Sequence, residues 1–157
     1  MLVAAAKRQQ QQDAAVIKQM PVDYRDCVLP VLVEVMRQAA TTGNHLYVTV
    51  FGHDMDAYLQ AALARHGIAA YPSSAMPKWG VEWGFSPSGR PFHDVVDPQF
   101  TPYWGFSIGD IAAKSPGRYT VAAGYMCGSL CGGRYRFNLK VDGKVCIVTS
   151  KLAMGFY

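Results

Sequence analysis

The chain has 157 residues, half of them hydrophobic, which favours one domain around a single core. It carries 15 Lys and Arg against 11 Asp and Glu, and the basic residues are scattered along the sequence. Nucleic-acid binding needs a concentrated basic surface, so we expect no nucleic-acid partner. No apolar run approaches the roughly 18 residues that a membrane-spanning helix needs, so we also expect no membrane span.

The first 21 residues differ in composition from the rest. Residues 7–19 are rich in Gln and in helix-forming residues but lack a wide apolar face, which is typical of a solvated helix or a disordered lead-in. We therefore separate a polar N-terminal segment, residues 1–21, from one α+β domain, residues 22–157. The short apolar stretch around Ala4 and Ala6 resembles the end of a signal peptide, and the alternative is an ordinary cytosolic start.

A core helix is predicted over about residues 24–40. Asp23 is suited to cap it, and Gly43 is suited to close it. Pro30 predicts either a kink or a later start near this proline, because an interior proline removes a helical hydrogen bond. The apolar residues that recur at helical spacing are Leu29, Leu32, Val33, Met36 and Ala40.

A small strand-helix-strand unit follows. Residues 45–51 are largely apolar on both alternating faces, as expected of a strand that is covered on both sides. Asp54 then caps a helix over about residues 55–66, and Gly67 ends it. Residues 68–71 return as a short strand.

Residues 72–102 are rich in proline and in aromatic rings, and such a long stretch with little regular structure indicates a functional loop or an unrecognised strand pair. Large rings concentrate at binding surfaces, although rings also pin proline-rich loops to a sheet. The ring cluster comprises Trp79, Trp83, Phe85, Phe92, Phe100, Tyr103, Trp104 and Phe106. The candidate binding residues among them are Trp79, Trp83, Phe85, Phe92 and Trp104.

Residues 103–111 predict a strand, and residues 117–157 predict three antiparallel strands joined by a Cys-Gly-rich loop and an Asp-Gly turn. Two registers fit the last hairpin: a tight turn at Asp142 and Gly143, or a three-residue loop with Gly143 left-handed. The second register pairs Leu139 with Val145 and is preferred, because it keeps apolar residues on one face. It places Cys146 on the opposite face, away from the main core.

Cys127 and Cys131 flank the Gly-rich loop, and their spacing allows the Cα separation of about 4.4 to 6.8 Å that a disulfide needs. We expect a loop disulfide here. Zinc would need two further ligands, and no second Cys or His pair supplies them at a recognisable spacing, so no metal or cofactor is expected. A catalytic cysteine would need a nearby histidine. The candidates for that role are His45, His53, His66 and His93.

The dipeptide His-Asp occurs twice, at His53-Asp54 and at His93-Asp94. Either pair could serve acid-base chemistry or a metal, but a helix cap and a polar loop explain them more simply. The sequence contains no nucleophile elbow and no glycine-rich phosphate loop. No catalytic residue is therefore predicted, and a non-enzymatic role is favoured.

Residues 47–54, 71–74 and 121–145 resemble a group of uncharacterised bacterial secreted proteins and lipoproteins, in which a strand, a Cys-Gly-rich turn and a hairpin end the domain. The resemblance spans about residues 22–152 and implies an envelope location without an established activity. Val145 stands where that group commonly carries Trp. The terminal sheet also resembles the curved sheets of nuclear-transport-factor-2-like domains, whose helices enclose a pocket, but the strand-helix-strand unit departs from that plan.

We therefore expect a single α+β domain with a mainly antiparallel, curved sheet of about four to six strands covered by two or three helices. The favoured function is a non-catalytic binding module of the bacterial envelope, such as an inhibitor or immunity-type protein, that binds another protein through the aromatic loop. One alternative is a small enzyme or ligand carrier using His53, Asp54 or His93, and another is a structural subunit docked by its Gln-rich segment. The expected location is periplasmic or extracellular, with the cytoplasm as the alternative.

Overall fold

The computed structural model describes residues 2–43, 45–75, 103–128 and 131–156. These residues form three α-helices and one mostly antiparallel sheet of seven strands, which confirms the α+β fold class. The sheet exceeds the expected size because two strands of only two residues join one edge. In chain order the elements are α1 (Leu2–Gln19), α2 (Tyr24–Ala40), β1 (His45–Val50), β2 (His53–Asp54), α3 (Ala57–Arg65), β3 (Tyr71–Pro72), β4 (Tyr103–Ser115), β5 (Arg118–Gly128), β6 (Cys131–Asp142) and β7 (Val145–Phe156).

The strand order is β2-β1-β4-β5-β6-β7, and β3 also pairs with β1. Strand β1 runs parallel to both β3 and β4, whereas every other pairing is antiparallel. The unit β1-α3-β3 corresponds to the predicted strand-helix-strand unit, but its second strand is Tyr71–Pro72 and not residues 68–71. Strands β4 to β7 form a meander of long strands. We call the face of the sheet that packs against α2 the inner face, and the opposite face the outer face.

Helix α2 begins where the sequence predicted. Asp23 is the N-cap, and its side chain accepts a hydrogen bond from the backbone N–H of Arg25. Pro30 lies inside the helix and does not move its start. The residues of α2 that are fully buried against the sheet are Cys27, Val28, Val31, Leu32, Met36 and Ala39.

Helix α3 has a different cap from the one predicted. Asp56 is the N-cap and accepts a hydrogen bond from the N–H of Leu59, so the assignment of this role to Asp54 was wrong. The carboxylate of Asp54 instead accepts hydrogen bonds from the hydroxyl of Ser73 and the N–H of Ser74. Asp54 thereby anchors the short turn that follows β3.

The N-terminal segment is a helix rather than a disordered lead-in, and a buried carboxylate docks it on β4. Asp13 is only 2% exposed and accepts hydrogen bonds from the backbone N–H groups of Asp110 and Ile111, at 3.3 and 3.0 Å. These two residues form a β-bulge in β4, with Asp110 in the left-handed region at φ 56°. The extra residue lets Ile111 reach the core while Asp110 lines the outer face.

The last hairpin is paired differently from either expected register. Asp142 pairs with Val145, so the turn residues are Gly143 and Lys144. Gly143 alone of the two has a positive φ, 64°, which is the pattern of a type II′ turn and matches the right-handed strand twist. Leu139 pairs with Val148 instead of Val145.

Because of this register, the prediction that Cys146 lies away from the core was wrong. Cys146 is 8% exposed on the inner face and forms a disulfide with Cys27 of α2. The Cα atoms lie 5.1 Å apart, within the range of ordinary disulfides. Cys127 is also disulfide-bonded, while the side chain of Cys131, its predicted partner, lies outside the described residues.

The core lies between the inner face and the helices. Its largest fully buried side chains are Phe137, Leu32, Met36, Leu46, Leu59, Leu63 and Leu139. The parts of the chain that the structure describes contain no helix with the length and apolar character needed to cross a bilayer.

Candidate functional site

Five aromatic rings cross three neighbouring strands on the inner face of the sheet. Their centroids lie 5.5 to 6.4 Å from one another along the series, within the range of favourable ring pairs. Cross-strand pairing explains the arrangement, because Phe106 lies directly opposite Tyr125. We call this series the ring row. It consists of Trp104, Phe106, Tyr125, Tyr135 and Phe137.

The ring row passes from the core to the surface. Phe106 and Phe137 are 2% and 0% exposed, whereas Trp104, Tyr125 and Tyr135 are half-buried. Trp104 stacks almost parallel on Tyr125, with an interplanar angle of 19° and a centroid distance of 5.5 Å. The half-buried rings are therefore held by rings that the core itself fixes, which favours a preformed contact surface.

The electrostatics of the ring row favour a neutral phenol at Tyr125 and place a cation over the neighbouring ring. Burial raises the pKa of Tyr125, and the neighbouring Tyr135 raises it further through charge repulsion and a hydrogen bond. The ammonium group of Lys151 lies 5.2 Å from the centre of the Tyr135 ring and 3.2 Å from a carboxylate oxygen of Glu34. The exposed part of the ring row therefore combines apolar ring faces, hydroxyl groups and one neutralised charge.

The outer face carries a groove of a different kind. It has a volume of about 530 Å³, and its floor comes from small residues at facing positions of β4 and β5. Tyr47 and Thr49 border it on β1, and Arg134 and Asp110 lie at its far side. The small residues of the floor are Gly105, Ser107, Gly109, Ala122 and Gly124.

Two of the charged residues near this groove are engaged within the fold. A guanidinium nitrogen of Arg136 lies 3.1 Å from the Asp110 carboxylate, which also accepts a hydrogen bond from the side chain of Gln9. Within the described part of the chain, Arg134 makes no ion pair. The Arg134 guanidinium could therefore bind an anionic group of a ligand in the groove.

His53 lines a smaller pocket of about 260 Å³ between α1 and the start of α3, together with Asp54 and Asp56. Hydrogen bonds from Ser74 and Ser73 lower the pKa of Asp54 below its ordinary value. Asp56 caps α3 and pairs with Arg25 at 3.3 Å. Both carboxylates are thus fixed acceptors with structural roles, which is a poor arrangement for proton transfer.

The predicted site residues fall into two groups. Trp104 is described, and it lies with Phe106 in the ring row. The remaining candidate binding residues and one histidine of the alternative enzyme site lie outside the described residues; they are Trp79, Trp83, Phe85, Phe92 and His93.

Sequence reasoning missed Tyr125 and Tyr135, which continue the ring row onto β5 and β6. The period-2 alternation of these strands already placed both residues on one face with Val121 and Phe137, and that pattern was sufficient to find them. The alternation does not predict how β4 pairs with β5, and it is this pairing that brings Trp104 beside Tyr125.

No group of three or more His, Cys, Asp and Glu residues suited to hold a metal occurs among residues 2–43, 45–75, 103–128 and 131–156. The chain matches no protein-family model, no curated protein and no solved structure.

Proposed function

We propose that this protein is a non-catalytic binding module of the bacterial envelope that binds another protein through the aromatic end of its inner face. The ring row carries the proposal. Trp104 and Tyr125 are stacked, half-buried and anchored on core rings, and such preorganised aromatic residues are the ones that dominate the affinity of protein interfaces. An inhibitor or immunity-type protein would use a surface of this kind.

The position of the ring row supports an extended aromatic surface. Strand β4 starts at Tyr103, so the ring row begins where the proline-rich and aromatic segment 72–102 joins the sheet. Trp79 and Trp83 belong to that segment, and we propose that they contribute to the same surface.

The cysteines support a location outside the cytoplasm. Cys27 and Cys146 form a disulfide, and Cys127 is disulfide-bonded as well. Stable structural disulfides are typical of oxidising compartments. We propose the periplasm or the extracellular space.

A second candidate function is a ligand carrier, and the outer groove is the observation that favours it. Its volume of about 530 Å³ falls in the range of small-molecule sites. Arg134 would bind an anionic group, and the floor of small residues would admit a flat apolar body.

Binding measurements with matched variants test the protein-binding proposal. The oxidised full chain is immobilised and exposed to an envelope extract of the source organism, and a captured protein is then purified for titration. We expect Trp104→Ala, and separately Trp79→Ala combined with Trp83→Ala, to weaken its binding by at least tenfold. Tyr58→Ala, which removes an aromatic residue that is 43% exposed on α3, is the matched control and should bind as wild type. Wild-type affinity in both tryptophan variants would refute the proposal.

One substitution separates the two candidate functions. A Cβ atom at Gly109 would meet no heavy atom within 4 Å, so Gly109→Phe fills the outer groove without a clash at that atom. The binding-module proposal predicts unchanged partner affinity in this variant, whereas a carrier would lose its ligand.

A further inference from the structure

Among the described residues, strand β7 ends the sheet, and several of its exposed side chains are apolar. Among the described strands, β7 pairs only with β6, which leaves one side of its 12-residue backbone without a strand partner. Four of its side chains are large, apolar and between 44% and 60% exposed. They are Val145, Ile147, Leu152 and Met154.

A β-bulge aligns residues from both halves of this strand. Leu139 pairs with Val148 and Asn138 pairs with Ser150, so Thr149 is an extra residue in β7. In a regular strand Ile147 and Leu152 would point to opposite faces. The extra residue brings both onto the outer face, where they pair with Lys140 and Arg136 of β6.

The edge has only part of the usual protection against pairing. Natural edge strands are often blunted by a proline or an exposed lysine, and β7 contains no proline. Its one charged residue, Lys151, is turned toward Glu34 of α2 and the Tyr135 ring of its own chain. Bulges are another common protection, and β7 has two. The bulge at Thr149 collects apolar side chains on the outer face, and the second, at Met154, lies near the end of the strand, where Tyr135 pairs with Ala153 and Arg134 with Gly155.

We propose that β7 pairs with β7 of a second copy of this chain, antiparallel and across a two-fold axis between Thr149 and Ser150. In this register the residue numbers of each opposed pair add up to 299. It places Val145 opposite Met154 and Ile147 opposite Leu152, so all four exposed apolar residues face one another across the interface. No other two-fold register pairs all four.

The inner-face residues fit the same register. Val148 lies opposite Lys151, and both point to the inner face because they pair with Leu139 and Phe137 of β6. Eight half-exposed apolar side chains and two backbone edges bury on the order of 1,000 Å² in total, which is the lower limit for a specific interface. The dimer is therefore reversible and dissociates on dilution. It does not rest on the function proposed above, because the rings of the ring row lie on β4 to β6 and the two surfaces share only Lys151, whose ammonium group lies over the Tyr135 ring.

Cross-linking between two introduced cysteines tests the register. In Ile147→Cys combined with Leu152→Cys, each new thiol lies about 5 Å from the opposite thiol of the second copy. The same residue in the two copies, such as Ile147 in each, is separated by five residues along the paired strands, which is about 17 Å. In either single variant the two new thiols are therefore too far apart to be cross-linked. A short bis-maleimide reagent reacts with the new thiols, and the described native cysteines are not free. We expect a covalent dimer in the double variant and at least tenfold less in each single variant.

Sedimentation of the full chain over a concentration series tests the dimer itself. Ile147→Lys combined with Leu152→Lys should raise the dimer dissociation constant at least tenfold. Tyr71→Lys is the matched control, because Tyr71 is 44% exposed like Ile147 but lies on β3 at the opposite edge. A wild-type chain that stays monomeric at millimolar concentration would overturn the proposal, and so would equal cross-linking in the double and single variants.

Discussion

The two faces of the same strands differ in what their side chains can do. On the inner face, Phe137 and Val121 are buried under α2, and the half-buried rings extend from them. On the outer face the alternate positions of β4 and β5 are small residues, and the neighbouring positions of β6 are Arg134 and Arg136. The same strands therefore carry the core on one side and an open groove on the other.

The difference rests on the alternation of side chains along each strand, and a bulge shifts this alternation by one residue. Without the extra residue at Asp110, Ile111 would point to the outer face. Five changes test how far each face depends on this arrangement.

The largest expected difference in stability is between substitutions of two neighbouring residues of β6. Phe137→Ala should lower the free energy of unfolding by about 3 to 5 kcal/mol, because it removes a fully buried ring and leaves a cavity. Asn138→Ala, on the exposed outer face, should lower it by less than about 1 kcal/mol. Chemical denaturation measures both, and equal losses would show that the two faces do not differ in this way.

Removal of the disulfide tests the covalent link between α2 and the inner face. Cys27→Ala combined with Cys146→Ala should lower the free energy of unfolding by about 2 to 5 kcal/mol, because the bond closes a long loop in the unfolded chain. The sequence separation is 119 residues. Cys127→Ala combined with Cys131→Ala is the control and should have a smaller effect, since these residues are close in sequence. A larger loss of stability in the Cys127 and Cys131 variant than in the Cys27 and Cys146 variant would contradict this explanation.

Substitution of Asp13 tests how much the bulge that keeps Ile111 on the inner face depends on this carboxylate. Asp13→Ala removes a buried carboxylate that accepts two backbone hydrogen bonds, and it should lower the free energy of unfolding by about 1 to 3 kcal/mol. Amide hydrogen exchange at Asp110 and Ile111 should accelerate. Gln12→Ala, an exposed residue of the same helix, should leave both measurements unchanged.

Alanine substitutions at two glycines test how closely the floor of the outer groove is packed. Gly109→Ala should raise the free energy of unfolding by roughly 0.5 kcal/mol, since glycine weakens a strand and a new Cβ meets open space. At Gly124 the new Cβ would lie 3.3 Å from the carbonyl oxygen of Gly133, so Gly124→Ala should gain less or destabilise. Thermal unfolding of the two variants gives the difference. A greater gain at Gly124 would show that the floor is not packed as described.

Alkaline pH tests one tyrosine on each face. Burial raises the pKa of Tyr125 on the inner face and of Tyr47 on the outer face above the ordinary value of 10.0. The folded state therefore binds these protons more tightly than the unfolded state does, so the stabilisation is complete below pH 10 and is lost as pH rises through the folded pKa values. Tyr125→Phe and Tyr47→Phe should each reduce that loss in denaturation curves measured above pH 10. A curve identical to that of wild type would contradict this effect.

The sequence predicted the elements well where the determinants were local. Alternation and turn residues located β5 to β7, and Asp23 marked the start of α2. The predicted register of the last hairpin was wrong because the turn lies at Gly143 and Lys144 and not at Asp142 and Gly143. The disulfide between Cys27 and Cys146 was missed because it joins a helix and a strand that only the folded chain brings together.

The candidate site was predicted in part. Trp104 was selected for its place in an aromatic segment, and the structure adds Tyr125 and Tyr135 through cross-strand pairing. The outer groove was not predicted, because its floor is defined by small side chains from separate strands. A lone glycine in a strand indicates a bulge or a close approach, whereas several at facing positions form a surface.

The bond between Cys27 and Cys146 also determines how this chain responds to proteases. One peptide-bond cleavage anywhere between these two residues, including in the long segment before β4, leaves both fragments in one covalent molecule. A nicked protein would therefore keep its mass on a gel until a reductant is added.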